Sequence, residues 1–412
     1  MSDTSVISRI IRFTAESPTS ATPAAAASHP FADSPVAASG FAKQSYMRAI
    51  ESGNAATALG AAILLDGLAD NGTSTNSAAY LEGALALAGN DTPATLIAEA
   101  ALLLCTHEYR REQYHHARTL ASLAEEHAGT TNDVVLQAGA SAWKARILLA
   151  ERDTASALDS SHRAHSLLAE KARTTGNEIY EHAAVEVTIL TGMIYQQMGE
   201  YDSALTYLME AAGLARAADN HLCTATVYTR IATILLAQQN HTQALEYCSQ
   251  ALHFAESAPT AEAKVEALLV MTKTLMLMKE YERLFTYAHR AAALLEQSPT
   301  GGNHAKHSTT VHRTLGRAHF AVRSYAKSLY HLQRAVQHHS KGDDSPERAA
   351  LYIDIASVFR ALRRYDDASV YIHHALSIAD RIGNAPLRAR AIRLLSAVIR
   401  EQKLPLPVLP EK

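Results

Sequence analysis

Glycine (18), proline (12) and cysteine (3) are scarce in these 412 residues, and β-branched runs closed by turn residues are hard to find. With alanine and leucine abundant, the chain favours helix nearly throughout. The cysteines, Cys105, Cys223 and Cys248, lie far apart with no C-x-x-C pair. That spacing argues against a disulfide framework or a thiolate zinc site, and points to a reducing compartment in which each cysteine packs as a small buried apolar residue. No apolar run approaches the ~18 residues a spanning helix needs, and the apolar part of MSDTSVISRIIRF is too short for a secretory signal. A cytoplasmic protein without membrane contact is expected. Arg9, Arg12 and the Ser/Thr/Ala-rich stretch after them resemble a transit peptide faintly, against which stand Asp3 and Glu16.

Catalytic and nucleotide signatures are missing too. There is no G-x-x-x-x-G-K-S/T loop, no G-x-G-x-x-G, no G-x-S-x-G and no H-E-x-x-H. The expectation is a protein that is not an enzyme, with no cofactor and no metal site.

What remains is enough to fold: 48% of residues are hydrophobic and 19% charged. The net charge of −3 hides an asymmetry, because residues 304–412 hold 18 Lys and Arg against 9 Asp and Glu. That segment is +9 and the remainder −12, a polarity that can steer an acidic partner to one end or pair two copies head to tail as a homo-oligomer. Residues 1–45 are read as a disordered Ala/Ser/Pro-rich leader, because residues 14 to about 45 bury too little apolar surface to offset ordering.

Beyond the leader one pattern recurs. GEYDSALTYLMEAAGLA (Gly199 to Ala215) is followed by QNHTQALEYCSQALHFA (Gln239 to Ala255) and later by RRYDDASVYIHHALSIA (Arg363 to Ala379). Aligned on Ala204, the copies have anchors at Ser77, Ala117, Ala157, Ala204, Ala244, Leu284, Ser328 and Ala368, most of them 40 residues apart. Seven residues after each anchor stands an alanine: Ala84, Ala124, Ala164, Ala211, Ala251, Ala291, Ala335 and Ala375. Residues seven apart share a helical face, so two small side chains there let a neighbouring helix approach closely. Between them a mostly larger residue, such as Leu208 or Leu332, fills the gap. Gly192, Ala232, Gly316 and Ala356, twelve residues before their anchors, belong to a preceding helix, and tyrosines three residues before the anchors (Tyr201, Tyr281, Tyr325, Tyr365) are read as turn residues packed on both helices. A helical hairpin that cannot hide its apolar faces alone must stack on the next one.

Small residues at two packing sites, an apolar residue between them, a turn tyrosine and Leu-Gly or Ile-Ala in the first helix resemble the tetratricopeptide repeat over roughly residues 55–380. The period is 40 rather than 34, and the proline that often closes the second helix is missing at Arg216, Glu256 and Asp380. The resemblance is to long variants such as those of kinesin light chains, spindle-orienting G-protein modulators and bacterial peptide-sensing regulators. It implies an all-α, right-handed solenoid of about eight hairpins over residues 46–402. A capping helix begins near Pro386, a hinge lies at 298–306 around Gly301 and Gly302, and 403–412 form an extended tail.

The resemblance also implies that the first helices line the inner surface, at positions 18, 15, 11, 8 and 7 before each anchor. Carried over, these positions place Lys273, Met276, Arg313, Arg317, Phe320 and Arg360 in one groove, which suits a peptide with acidic side chains or a free carboxylate beside apolar anchors. Alternatively, the arginines pair with acids of adjacent repeats, such as Asp354. The family's carboxylate clamp for chaperone tails needs asparagines that are absent here.

The expected function is a non-catalytic scaffold or adaptor that binds such a peptide. One alternative is a peptide-sensing regulator that closes on a small ligand. Another is a metal-dependent or phosphatase-like activity using the histidines, of which there are 21, with His304, His307, His312, His319, His331, His338 and His339 crowded into one segment. HAKH (His304 to His307) falls in the expected loop, with no carboxylate near it in sequence. Arg360, Arg363, Arg364, Arg388, Arg390 and Arg393 cluster, but with few interleaved aromatics nucleic acid is not expected as a partner. The single tryptophan, Trp143, is expected in the core.

Overall fold

A computed structural model describes residues 35–69, 77–175, 178–257, 261–297, 304–339 and 344–402. Every regular element among them is a helix. The helices are α1 (Pro35–Ser52), α2 (Ala55–Ala69), α3 (Ser77–Ala86), α4 (Ala94–Arg110), α5 (Tyr114–Gly129), α6 (Val134–Ala150), α7 (Thr154–Thr175), α8 (Glu178–Met198) and α9 (Tyr201–Ala217). They continue with α10 (His221–Ala237), α11 (His241–Ser257), α12 (Ala261–Met278), α13 (Tyr281–Gln297), α14 (His304–Ala321), α15 (Tyr325–His338), α16 (Pro346–Ala361), α17 (Tyr365–Arg381) and α18 (Ala385–Gln402). No helix among the described residues is long and apolar enough to cross a membrane.

The chain divides into two compact units, 1–234 with 257–260, and 235–256 with 261–412. Within each, consecutive helices pack pairwise as stacked hairpins of an α-solenoid. First helices also touch first helices: α2 with α4, α4 with α6 and α6 with α8 in one unit, α12 with α14, α14 with α16 and α16 with α18 in the other.

The small-residue register explains this packing. All eight alanines seven residues after the anchors are fully buried, as are the anchors from Ala117 to Ala368. Two glycines of the first helices fit closely: a Cβ on Gly316 would lie 2.6 Å from Leu332 Cγ, and one on Gly192 2.8 Å from Leu208 Cγ. In the same hairpin the anchor hydroxyl of Ser328 donates to the Gly316 carbonyl at 2.7 Å. Trp143 is buried against Tyr109, edge to face at 5.7 Å, and all three cysteines are buried, none of them in a disulfide.

Seven of the hairpins turn through one residue in the left-handed region, five before the anchor: Glu112, Arg152, Gly199, Gln239, Lys279, Arg323 and Arg363. The next amide closes the turn on a carbonyl five residues back, as in Arg364 N–H to Phe359 O at 2.9 Å and Ser324 N–H to His319 O at 2.8 Å. This hydrogen bond satisfies a carbonyl that the ending helix would otherwise leave open.

Several expectations need correction. Helix α1 begins at Pro35, inside the stretch read as leader, because proline is tolerated in a first turn and Ala42, Tyr46 and Ala49 bury their side chains. The tyrosines before the anchors open the second helices rather than sit in the turns. Helix α7 runs to 22 residues, ending at Thr175. HAKH lies in the first turn of α14, not in a loop. Gly301, Gly302 and the rest of 298–303, where the hinge was expected, lie outside the described residues, as do residues 1–34 and the tail from 403. The cap at α18 follows a stop at Gly383 (φ +66°), and the Asn384 side chain accepts from Leu387 N–H at 3.1 Å.

Candidate functional site

Helices α12, α14 and α16 are consecutive first helices in one unit, and they carry the six groove residues. Lys273 on α12 and Arg317 on α14 occupy equivalent positions, eleven residues before their anchors. Met276 and Phe320 are likewise equivalent, eight before, and Arg360 on α16 shares that row. Because α12 packs on α14, and α14 on α16, these rows run side by side.

The four cations divide into two kinds. Arg313 Nε donates to Asp354 Oδ2 at 2.9 Å, and Arg390 of α18 donates to Oδ1 of the same carboxylate at 2.9 Å. Asp354 is buried, so the two arginines supply the charge its burial requires. Arg360 grips Glu401 of α18 through Nε and Nη2 at 2.6–3.1 Å. Hydrogen bonding to Arg360 is the largest cause holding the Glu401 carboxyl below its ordinary range. Lys273 and Arg317, by contrast, are exposed and enter no ion pair among the described residues. Phe320 is 36% exposed beside Tyr325, and Met276 is half-buried. The unneutralised part of the row is therefore Lys273 and Arg317 with apolar neighbours.

The histidines form something their adjacency in sequence did not suggest. Phe285, His319, His331, His312 and His338 stack in succession, with ring centroids 4.4, 5.4, 5.4 and 5.4 Å apart and planes tilted by no more than 25°. Midway, Nδ1 of His312 and Nδ1 of His331 lie 3.2 Å apart. Burial, then the neighbouring His338, Arg334 and His289, pushes His312 down to about 4. Burial, then His312, His319, His289 and Arg334, pushes His331 down to about 4 as well. His319 and His338 are lowered by burial first. At neutral pH the column is uncharged and acts as apolar packing between α14 and α15. The sequence signal was there: His312 and His319 are seven apart on one helix, as are His331 and His338 on the next, so each pair shares a face.

The two histidines of HAKH go separate ways. His304 Nε2 meets the Leu295 carbonyl at 3.0 Å, while His307 Nε2 lies 4.0 Å from Glu266 Oε1.

Residues 186–257 and 307–381 match the tetratricopeptide repeat family. No curated protein sequence matches the chain. Among solved structures, one similar fold is a signal transduction ATPase with numerous domains, carrying a tetratricopeptide repeat sensor, from Pyrococcus horikoshii (TM-score 0.56, 15% identity). The alignment covers 89% of this chain and 53% of that one. A second is a Rap protein complexed with Competence and Sporulation Factor (TM-score 0.53, 12% identity, covering 89% of this chain and 99% of that one). A third is the apo quorum sensor NprR from B. thuringiensis (TM-score 0.53, 12% identity, covering 72% and 79%). At these identities the likeness is one of fold.

Proposed function

We propose that this tetratricopeptide-repeat protein is a non-catalytic binding scaffold whose first-helix row in α12 and α14 takes a peptide or protein segment bearing carboxylates. The observation that carries the reading is the division of the cations: Arg313 and Arg360 are held by acids of the next first helix, whereas Lys273 and Arg317 are exposed and have no ion pair among the described residues. A carboxylate can bridge such a pair of cations while an apolar side chain beside it covers Met276 and Phe320. A Rap protein has been seen complexed with Competence and Sporulation Factor on a fold of this kind, which agrees with a ligand-holding role.

Pull-down from lysate at two salt concentrations tests the reading, with Lys273→Glu/Arg317→Glu compared with the native chain after helical content has been matched. Partners should be captured by the native chain, weakened by salt and lost by the variant. Undiminished capture by the folded variant contradicts the assignment of this row.

A further inference from the structure

We propose that Glu262, Glu266 and His307 form a binding site for one divalent transition-metal ion, Zn2+ in the first instance, that braces α12 against α14. Their ligand atoms, two carboxylate oxygens and one imidazole nitrogen, all lie within 4.8 Å of one another. Glu262 and Glu266 are one turn apart on α12, so both carboxylates project from the same side. His307 comes from α14, the first helix that packs directly on α12, and is 9% exposed. Two anions one turn apart repel each other, so a cation placed between them and the imidazole turns that repulsion into a bond between helices.

The distances leave room for an ion between the ligand atoms. At 4.0 Å, His307 Nε2 and Glu266 Oε1 are beyond hydrogen-bond range. An ion bound at about 2.0–2.2 Å to each ligand atom holds those atoms roughly 3–3.5 Å apart. Closing that gap asks the side chains to move their ligand atoms by about an ångström. The donor set also limits the choice of ion. An imidazole nitrogen disfavours Mg2+ and Ca2+, which prefer oxygen ligands throughout, and three protein ligands leave the remaining positions of Zn2+, Co2+ or Mn2+ to water. Nothing in HAKH alone predicts this site. His304 is directed to a carbonyl instead, and the carboxylates arrive from about 40 residues upstream through the stacking of first helices.

The test uses the full chain, stripped with chelator and dialysed against Zn2+. Metal content is measured by mass spectrometry, and Co2+ is titrated separately and followed by its visible d–d absorption. Because the chain has 21 histidines, His312→Phe/His331→Phe serves as a control for ions held by the ring column. Glu266→Gln and His307→Ala are compared with it, and the milder Glu262→Gln stands in should either fail to fold by circular dichroism. The proposal expects one equivalent of tightly held Zn2+ and a saturable Co2+ spectrum in the native and control proteins. Affinity should fall at least tenfold in each variant of the three ligands. No retained equivalent in the native chain overturns it, as does an equivalent that survives Glu266→Gln and Glu262→Gln but disappears from the control.

Discussion

Nε of Arg313 donates to Oδ2 of Asp354 at 2.9 Å across a separation of 41 residues, and Arg360 meets Glu401 across the same separation. Each pair thus ties a first helix to the next one along. Asp354 is the more demanding case, since it is buried between Arg313 and Arg390. Asp354→Ala leaves two arginines facing each other and should cost about 3 kcal/mol in urea unfolding. Glu401→Gln, at a pair about one-third exposed on each side, should cost no more than about 1 kcal/mol.

Gly316 and Gly213 make an informative contrast. Glycine inside a helix normally costs about 1 kcal/mol relative to alanine, and Gly213 in α9 has nothing within 4 Å of its would-be Cβ. Gly213→Ala should therefore stabilise by ~0.5–1 kcal/mol. Gly316→Ala should do the reverse, destabilising by ~1–3 kcal/mol, because the new methyl meets Leu332 Cγ at 2.6 Å. Thermal melts of the two variants decide it.

Much of this packing was legible before any coordinates. Ala211 and its equivalents announced a close helix approach because only alanine stands at that place in every copy, and the place of Ala204 is small in all but the copy with Leu284. Gly316 and Leu332 showed the same logic from the other side of the hairpin. The pairing of arginines with acids was legible as one of two readings, and the 41-residue separation shared by both pairs is its signature. Three features were not legible. The start of α1 depends on contacts of Ala42 and Tyr46 that no local propensity reports, and Gly301–Gly302 made HAKH read as loop although α14 opens at His304. The groups gathered around His307 come from another hairpin, where sequence proximity gives no hint of them.

The turn residues offer a third test. Arg363 holds φ +59°, a conformation costing a non-glycine residue about 1 kcal/mol or more, whereas Gly199 meets the same demand without strain. Arg363→Gly should raise stability by up to ~1 kcal/mol, and Gly199→Ala should lower it by about 1 kcal/mol, measured by chemical denaturation.

The histidine column predicts a pH dependence of definite sign. His312 and His331 titrate near 4 in the folded chain, below the ~6.5 of an unfolded histidine. Above pH ~6.5 neither state binds the proton and the stabilisation is complete. As pH falls from there through about 4, the unfolded chain takes up protons first and stability drains away. Melting temperature should fall across this window in the native chain, and fall less steeply in His312→Phe/His331→Phe, which keeps the ring stack but not the titration. Parallel curves for the two proteins would show that the column does not set the acid sensitivity.

The most direct measurement compares two double variants for both stability and capture of a carboxylate-bearing partner. Arg313→Gln/Arg360→Gln removes the cations already held by Asp354 and Glu401, and Lys273→Gln/Arg317→Gln removes those with no ion pair among the described residues. The first variant should melt at lower temperature yet bind normally while folded; the second should melt like the native chain and lose the partner. Binding that disappears with Arg313 and Arg360 but survives loss of Lys273 and Arg317 would contradict the account.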